Sequence, residues 1–322
     1  MRYRTNLLVG SVSAVIIVAC SSDLGSIHAG ATDGSAGESA DVASFNLSSD
    51  GGGGTSGESC RKIDLVFVID NSASMGEEQG NLISNFPKFV DVINTFKAKD
   101  GSDIDYRIAV TTTDRDVTYQ RVNQDGKTTP QTDKGSNGAF MTTTGMKNPW
   151  LERSDKNVAS MFSTIANVGL KGSAIEMPLE GSRLALDARL KDSNAGFLRS
   201  DALLGLVYMT DEDDCSRLDN NFRASPTQSC TEVAQVPIDE YVSFFDKLKG
   251  DRSRWATAVI AGASACHSSF GSAIEATRLK DFTKKLGTSA VFSSICEGDL
   301  SKALEEALNT FDVACKNFVP PQ

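Results

Sequence analysis

Three apolar runs constrain the fold more than any other feature of the chain. Ile63-Asp64-Leu65-Val66-Phe67-Val68-Ile69-Asp70 and Leu203-Leu204-Gly205-Leu206-Val207-Tyr208-Met209-Thr210-Asp211 each end in an acid, and Trp255 to Ile260 is the third. Short runs without polar alternation are the pattern of strands buried on both faces. Tyr106 to Thr111 and Ala290 to Phe292 add two more strands. Between the runs, apolar residues recur at helical spacing. Leu82, Phe86, Phe89, Ile93 and Phe96 mark a first helix, which Pro87 is expected to bend or restart. Val158, Met161, Ile165 and Val168 mark a second, stopped by Gly169. A third is expected to open at Gly172-Ser173 and run through Ile175, Leu179, Leu186 and Leu190. Three more lie on Ile238 to Leu248, Ile274 to Leu286 and Leu300 to Phe311. Strands alternating with helices predict a doubly wound, mostly parallel, Rossmann-like α/β sheet with loop insertions. One domain over 60–315 follows, with a short tail at 316–322. Residues 112–150 are polar, with an edge hairpin expected near Ala139 to Thr142. No internal repeat is present.

Ahead of this domain the composition changes. Arg2 and Arg4 precede a short apolar stretch, Leu7 to Val18, which predicts a secretory signal over 1–19 that is too short for a stable membrane span. Ile17-Val18-Ala19-Cys20 resembles the lipobox of bacterial lipoproteins, in which the cysteine is acylated after cleavage; the plainer alternative is an ordinary signal peptide. Residues 21–59 hold nine Gly, ten Ser, six acids and no Lys, Arg or Pro. Such a segment has too little apolar surface to offset its ordering entropy, and is expected to be a tether of about 35 Å r.m.s. span. With Ser21 after Cys20, the resemblance implies an outer-membrane lipoprotein, its domain in the periplasm or at the cell surface. Membrane contact would be through the lipid anchor alone.

In open α/β sheets ligands bind where strands exit at their carboxyl ends. The first run exits into Asp70-Asn71-Ser72-Ala73-Ser74, an Asp-x-Ser-x-Ser pattern, and another exits into Thr210-Asp211. Ser173 adds a third hydroxyl. Two carboxylates and three hydroxyls from three loops make an oxygen-only site, suited to Mg²⁺ before Mn²⁺ or Ca²⁺. So few charged ligands leave the cation electropositive, able to accept a carboxylate from a partner. Each residue also has a structural reading: the acids as strand-end caps, and the serines as helix caps. Glu212, Asp213 and Asp214 read as a solvated acidic loop in preference to a second cation site. Thr111 to Asp114 read as an exposed strand end that borders the site at most.

On these residues the chain resembles the von Willebrand factor type A domain with its metal-ion-dependent adhesion site. The resemblance covers about 60–315. It implies Ser72 and Ser74 as direct metal ligands, Asp70 through water, and Asp211 from the later loop. Ser173 stands where the family has threonine, keeping the hydroxyl without the methyl that holds its rotamer. Together with the lipobox, the tether and the run Asp211 to Ser216, the pattern looks like von Willebrand A lipoproteins of delta-proteobacteria and myxobacteria.

The seven cysteines divide into Cys20 and six others. In an exported domain six thiols suggest three disulfides, with fifteen connectivities open. Cys60–Cys315 would join the domain's ends, Cys215–Cys230 would close one insertion, and Cys266–Cys296 follow adjacent strands. No C-x-x-C pair favours zinc.

With 32 basic and 42 acidic residues the net charge is −10, which argues against nucleic-acid binding. Only His28 and His267 occur, so a His-rich metal centre is excluded, and His267 reads as structural. An acid ending a strand also resembles haloacid-dehalogenase-type phosphatases, but Ser72 stands where that family needs a second acid. No other activated nucleophile is evident. The favoured expectation is a binding and adhesion protein that captures an acidic group of a protein or glycan through its cation. A metal-dependent hydrolase and a structural envelope protein are the alternatives.

Overall fold

The computed structural model describes residues 60–321 apart from 99, 226–227, 270 and 298–299. The signal, Cys20 and the tether lie outside the described residues. In chain order the elements are β1 (Lys62–Ile69), α1 (Gly76–Thr95), β2 (Asp105–Thr112), β3 (Val117–Val122), β4 (Thr128–Asp133), β5 (Leu151–Glu152), α2 (Val158–Ala166), α3 (Pro178–Leu186), β6 (Leu203–Met209), β7 (Phe222–Ala224), α4 (Cys230–Val233), α5 (Ile238–Lys249), β8 (Trp255–Ala261), β9 (Cys266–Ser268), β10 (Gly271–Ala273), α6 (Thr277–Leu286), β11 (Ala290–Ser294) and α7 (Leu300–Lys316).

The main sheet has the order β11-β8-β6-β1-β2-β5. All neighbours are parallel except the edge pair β2–β5. This is the doubly wound, mostly parallel α/β architecture that the alternating runs predict. Along β1, Leu65, Phe67 and Ile69 join the core formed with α1, α2 and α7, while Val66 and Val68 join the core formed with α3, α5 and α6. A strand sends alternate side chains to opposite faces, so a run buried on both sides must be apolar throughout. The exception, Asp64, is buried and held by Arg199 through its backbone N–H (2.7 Å) and Nε (2.8 Å). Phe67 sits edge-on to Phe89 and Phe162, at 5.2 and 4.9 Å between ring centroids.

Four expectations need correction. α1 runs unbroken through Pro87, because one face (Leu82, Phe86, Phe89, Val90, Ile93) is fully buried and its packing outweighs the lost N–H. α3 opens at Pro178 instead of Gly172-Ser173, since proline at the first helical position is preorganised and its missing N–H needs no partner there. α6 opens at Thr277, leaving Ile274 in the preceding loop and largely exposed. The hairpin in the polar stretch is β3–β4, not 139–142; it turns at Asp125-Gly126, and Gly126 adopts a positive φ of 76°. β3 also pairs in parallel with β7, making a separate three-stranded sheet. Tyr119, Phe222, Ile175 and Met177 form its small core.

Cys60–Cys315, Cys215–Cys230 and Cys266–Cys296 are disulfide-bonded. Among the described residues no helix is long and apolar enough to cross a membrane.

Candidate cation site

β1 and β6 lie side by side at the centre of the sheet, and from them the strand order runs outward in opposite directions. This is the switch point, where neighbouring connections diverge and leave a crevice at the strand exits. Asp70 follows β1 and accepts a hydrogen bond from its own loop, Ser72 N–H to Oδ1 at 2.7 Å. Its Oδ2 accepts the Thr210 hydroxyl at 2.7 Å, which ties the two exits together. Ser72 and Ser74 hydroxyls lie 2.9 Å apart. Asp211 is buried, and its Oδ1 has no hydrogen-bond partner.

The structure therefore brings Asp70, Ser72, Ser74 and Asp211 to the ends of two adjacent strands. Their electrostatics are those of a site short of positive charge. Burial above all lifts Asp70 to about 6, partly offset by the Ser72 and Thr210 hydrogen bonds. Burial followed by the charge of Asp70 lifts Asp211 to about 7. The further charges acting on Asp211 come from Glu212 and Glu78, both acids.

Ser173 is buried nearby, but its hydroxyl donates to Asp133 on β4 at 2.7 Å and accepts the Ile175 N–H at 3.0 Å. It caps its own loop and opens no helix. Gly172 does reach the site loop: its N–H donates to the Asn71 carbonyl at 2.7 Å. A Cβ there would lie 2.8 Å from that carbonyl oxygen and closer still to the Asn71 side chain, so only glycine fits.

Other acids were missed or misread from sequence. Glu176 and Glu78 are buried; neither oxygen of Glu176 has a partner, nor does Oε2 of Glu78, whose Oε1 accepts the Ser272 N–H at 2.8 Å. Asp213 and Asp214 do not form a solvated loop. Asp213 accepts the N–H groups of Arg278 and Leu279 at the start of α6. Asp214 accepts the Leu179 N–H and pairs with Arg278 at 3.1 Å. They are buried helix caps, satisfied by donors that a sequence does not display. Asp114 lies beside the site and accepts from Asn71 Nδ2 at 3.1 Å, so the β2 exit does border it. His267 is exposed on β9, its Nδ1 2.5 Å from the Ser272 hydroxyl.

Two hydroxyls in contact, a buried carboxylate oxygen without a donor and acids raised by burial and by neighbouring acids suit a hard divalent cation. Asp70, Ser72, Ser74 and Asp211 would hold it, and it would supply the missing positive charge. Among the described residues, no three His, Cys, Asp or Glu side chains form a metal-holding group by themselves.

No protein-family model and no curated protein matches the chain. Some solved structures are similar. Proximal thread matrix protein 1 from the mussel byssus, solved with a zinc-occupied MIDAS motif, is 13% identical, covering 78% of this chain and 49% of that one, at a TM-score of 0.40. The pilus adhesin SpaC from Lactobacillus rhamnosus GG is 12% identical, covering 80% and 30%, at 0.40. Manganese-loaded TRAP protein of Plasmodium vivax is 13% identical, covering 76% and 74%, at 0.35. This chain spans about half the length of the mussel protein.

Proposed function

We propose that this is a lipid-anchored adhesion protein of the bacterial envelope. It would use a divalent cation, Mg²⁺ in the first place, to capture a carboxylate on a protein or glycan partner. One observation carries the reading: the Asp70-x-Ser72-x-Ser74 loop and Asp211 leave adjacent strand exits with a buried oxygen unpartnered and acids as the neighbouring charges. A cation held there by few charged ligands keeps an open position for an incoming anion. The resemblance to von Willebrand A domains supports the same reading. Acylation at Cys20 supplies the anchor, and residues 21–59 the reach to present the site beyond the headgroups. The domain would face the periplasm or the cell surface.

The test is retention of envelope components by the immobilised full chain. Retention is expected with Mg²⁺ and to fall at least about tenfold with chelator or in Asp70→Ala, a loss of about 1.4 kcal/mol or more. Methyl esterification of the partner's carboxylates is expected to abolish it. Equal retention by Asp70→Ala contradicts the reading.

A further inference from the structure

No hydroxyl, amide or basic side chain offsets the burial of Glu176. The residue is 1% exposed, and both carboxylate oxygens lack a partner. Its loop is firmly held. Gly172 N–H donates to Asn71 O at 2.7 Å, Met177 N–H to Thr113 O at 2.8 Å, and Cys215 N–H to Glu176 O at 2.8 Å. These partners follow β1, β2 and β6, three neighbouring strands. Residues 171–177 thus bridge the exits and fix Glu176 among them. Ile175 and Met177, on either side, are sunk in the small core under the β3–β4 hairpin. Burial above all, then the charges of Asp70 and Glu212, raise the Glu176 carboxyl well above the ordinary range, and the side-chain group within its reach is the Glu212 carboxyl, itself an acid raised by burial. Ser173, the hydroxyl expected from this loop, is engaged with Asp133 and Ile175 instead.

A buried carboxylate without a cationic partner is costly unless something neutralises it. A proton does so at a site that only needs filling. Here the acid is bolted into place among oxygen donors that already suit a cation. We propose that Glu176 is a ligand of that cation, supplying from the 171–177 loop a carboxylate in place of the Ser173 hydroxyl. The ligand class is an oxygen-preferring divalent ion, with Ser72 and Ser74 completing the set. The inference rests on the cation reading of the site. A further carboxylate raises cation affinity, because affinity in all-oxygen sites follows ligand charge. The cation is then held tightly without any partner, and the partner's carboxylate meets a metal already in place.

Mn²⁺ is the probe, titrated calorimetrically into the metal-free full chain, with a thermal melt of each variant. Wild type is expected to take up Mn²⁺ saturably. Glu176→Gln is expected to weaken it at least about tenfold, the scale on which ligand-shell changes act. Its metal-free melting temperature is expected to rise, since an amide relieves the repulsion; that rise separates a lost ligand from a damaged fold. Ser173→Ala should bind Mn²⁺ within about threefold of wild type, less than the 1.4 kcal/mol that marks a factor of ten. If Glu176→Gln binds like wild type while Asp70→Ala does not, the inference falls and the site reading stands. A metal-free Glu176→Gln that melts lower than wild type also overturns it, by making Glu176 a structural acid. No Mn²⁺ uptake by wild type overturns both.

Discussion

Asp70 and Asp211 carry their charge at a cost that the folded chain bears and the unfolded chain does not. Folding lifts them to about 6 and about 7, whereas in an unfolded chain each returns to about 4. Raised acids make the folded state bind more protons than the unfolded state, so their contribution is present at low pH and is lost as pH climbs from about 4 through about 7. In chelator, the melting temperature is expected to fall between about pH 5 and pH 8. With saturating Mg²⁺ the fall should flatten, because the cation replaces the protons. Thermal melts followed by circular dichroism check this, and a metal-free profile that rises with pH contradicts the charge cluster. Asp70, Ser72, Ser74 and Asp211 were legible in the sequence because each directly follows an apolar run, and a strand's exit is a local fact. Glu176 was not. Nothing near it in sequence says that backbone bonds to Asn71, Thr113 and Cys215 gather its loop across three strands.

Among the elements, α1 states most clearly how packing overrides propensity. Pro87 lies inside twenty continuous helical residues, with Phe86 and Phe89 fully or almost fully buried on either side. Proline there cannot donate to the preceding turn and costs up to about 3 kcal/mol relative to alanine. Pro87→Ala is therefore expected to stabilise the protein by about 1–3 kcal/mol, measured by urea unfolding. An unchanged or lower stability would mean that the ring's packing outweighs the missing bond. Long runs made β1, β6 and β8 legible, since burial on both faces leaves no room for polar residues. The start of α3 was misread although Pro178 marks it, because Ile175 fits the helical spacing while belonging to a different core. The β3–β4 hairpin was missed although Asp125-Gly126 is a turn signal, because exposed β4 has no apolar face to show a period.

For the whole molecule, the Cys60–Cys315 disulfide joins the start of the first strand to the last helix across a sequence separation of 255. A closure this long removes much of the unfolded chain's freedom, so Cys60→Ser with Cys315→Ser is expected to cost about 2–5 kcal/mol in urea unfolding. A loss below about 1 kcal/mol would contradict that account. The pairing of Cys60 with Cys315 followed from the tendency of domain ends to meet, whereas Cys215–Cys230 serves the β7 insertion, whose sheet partner was not foreseen. β1 also has a mechanical meaning. It begins two residues after Cys60 and ends at Ile69, just before Asp70, so Cys60 and the candidate site lie at opposite ends of one strand. Tension between a captured partner and an anchor would run along β1, flanked in parallel by β2 and β6 along its length. Those hydrogen bonds would be strained together, in shear, instead of peeling one at a time. At Cys60 part of the pull would pass through sulfur into α7. Such a strand resists force better than an edge strand would, and a pull entering at Cys60 would meet it at the end where that geometry applies.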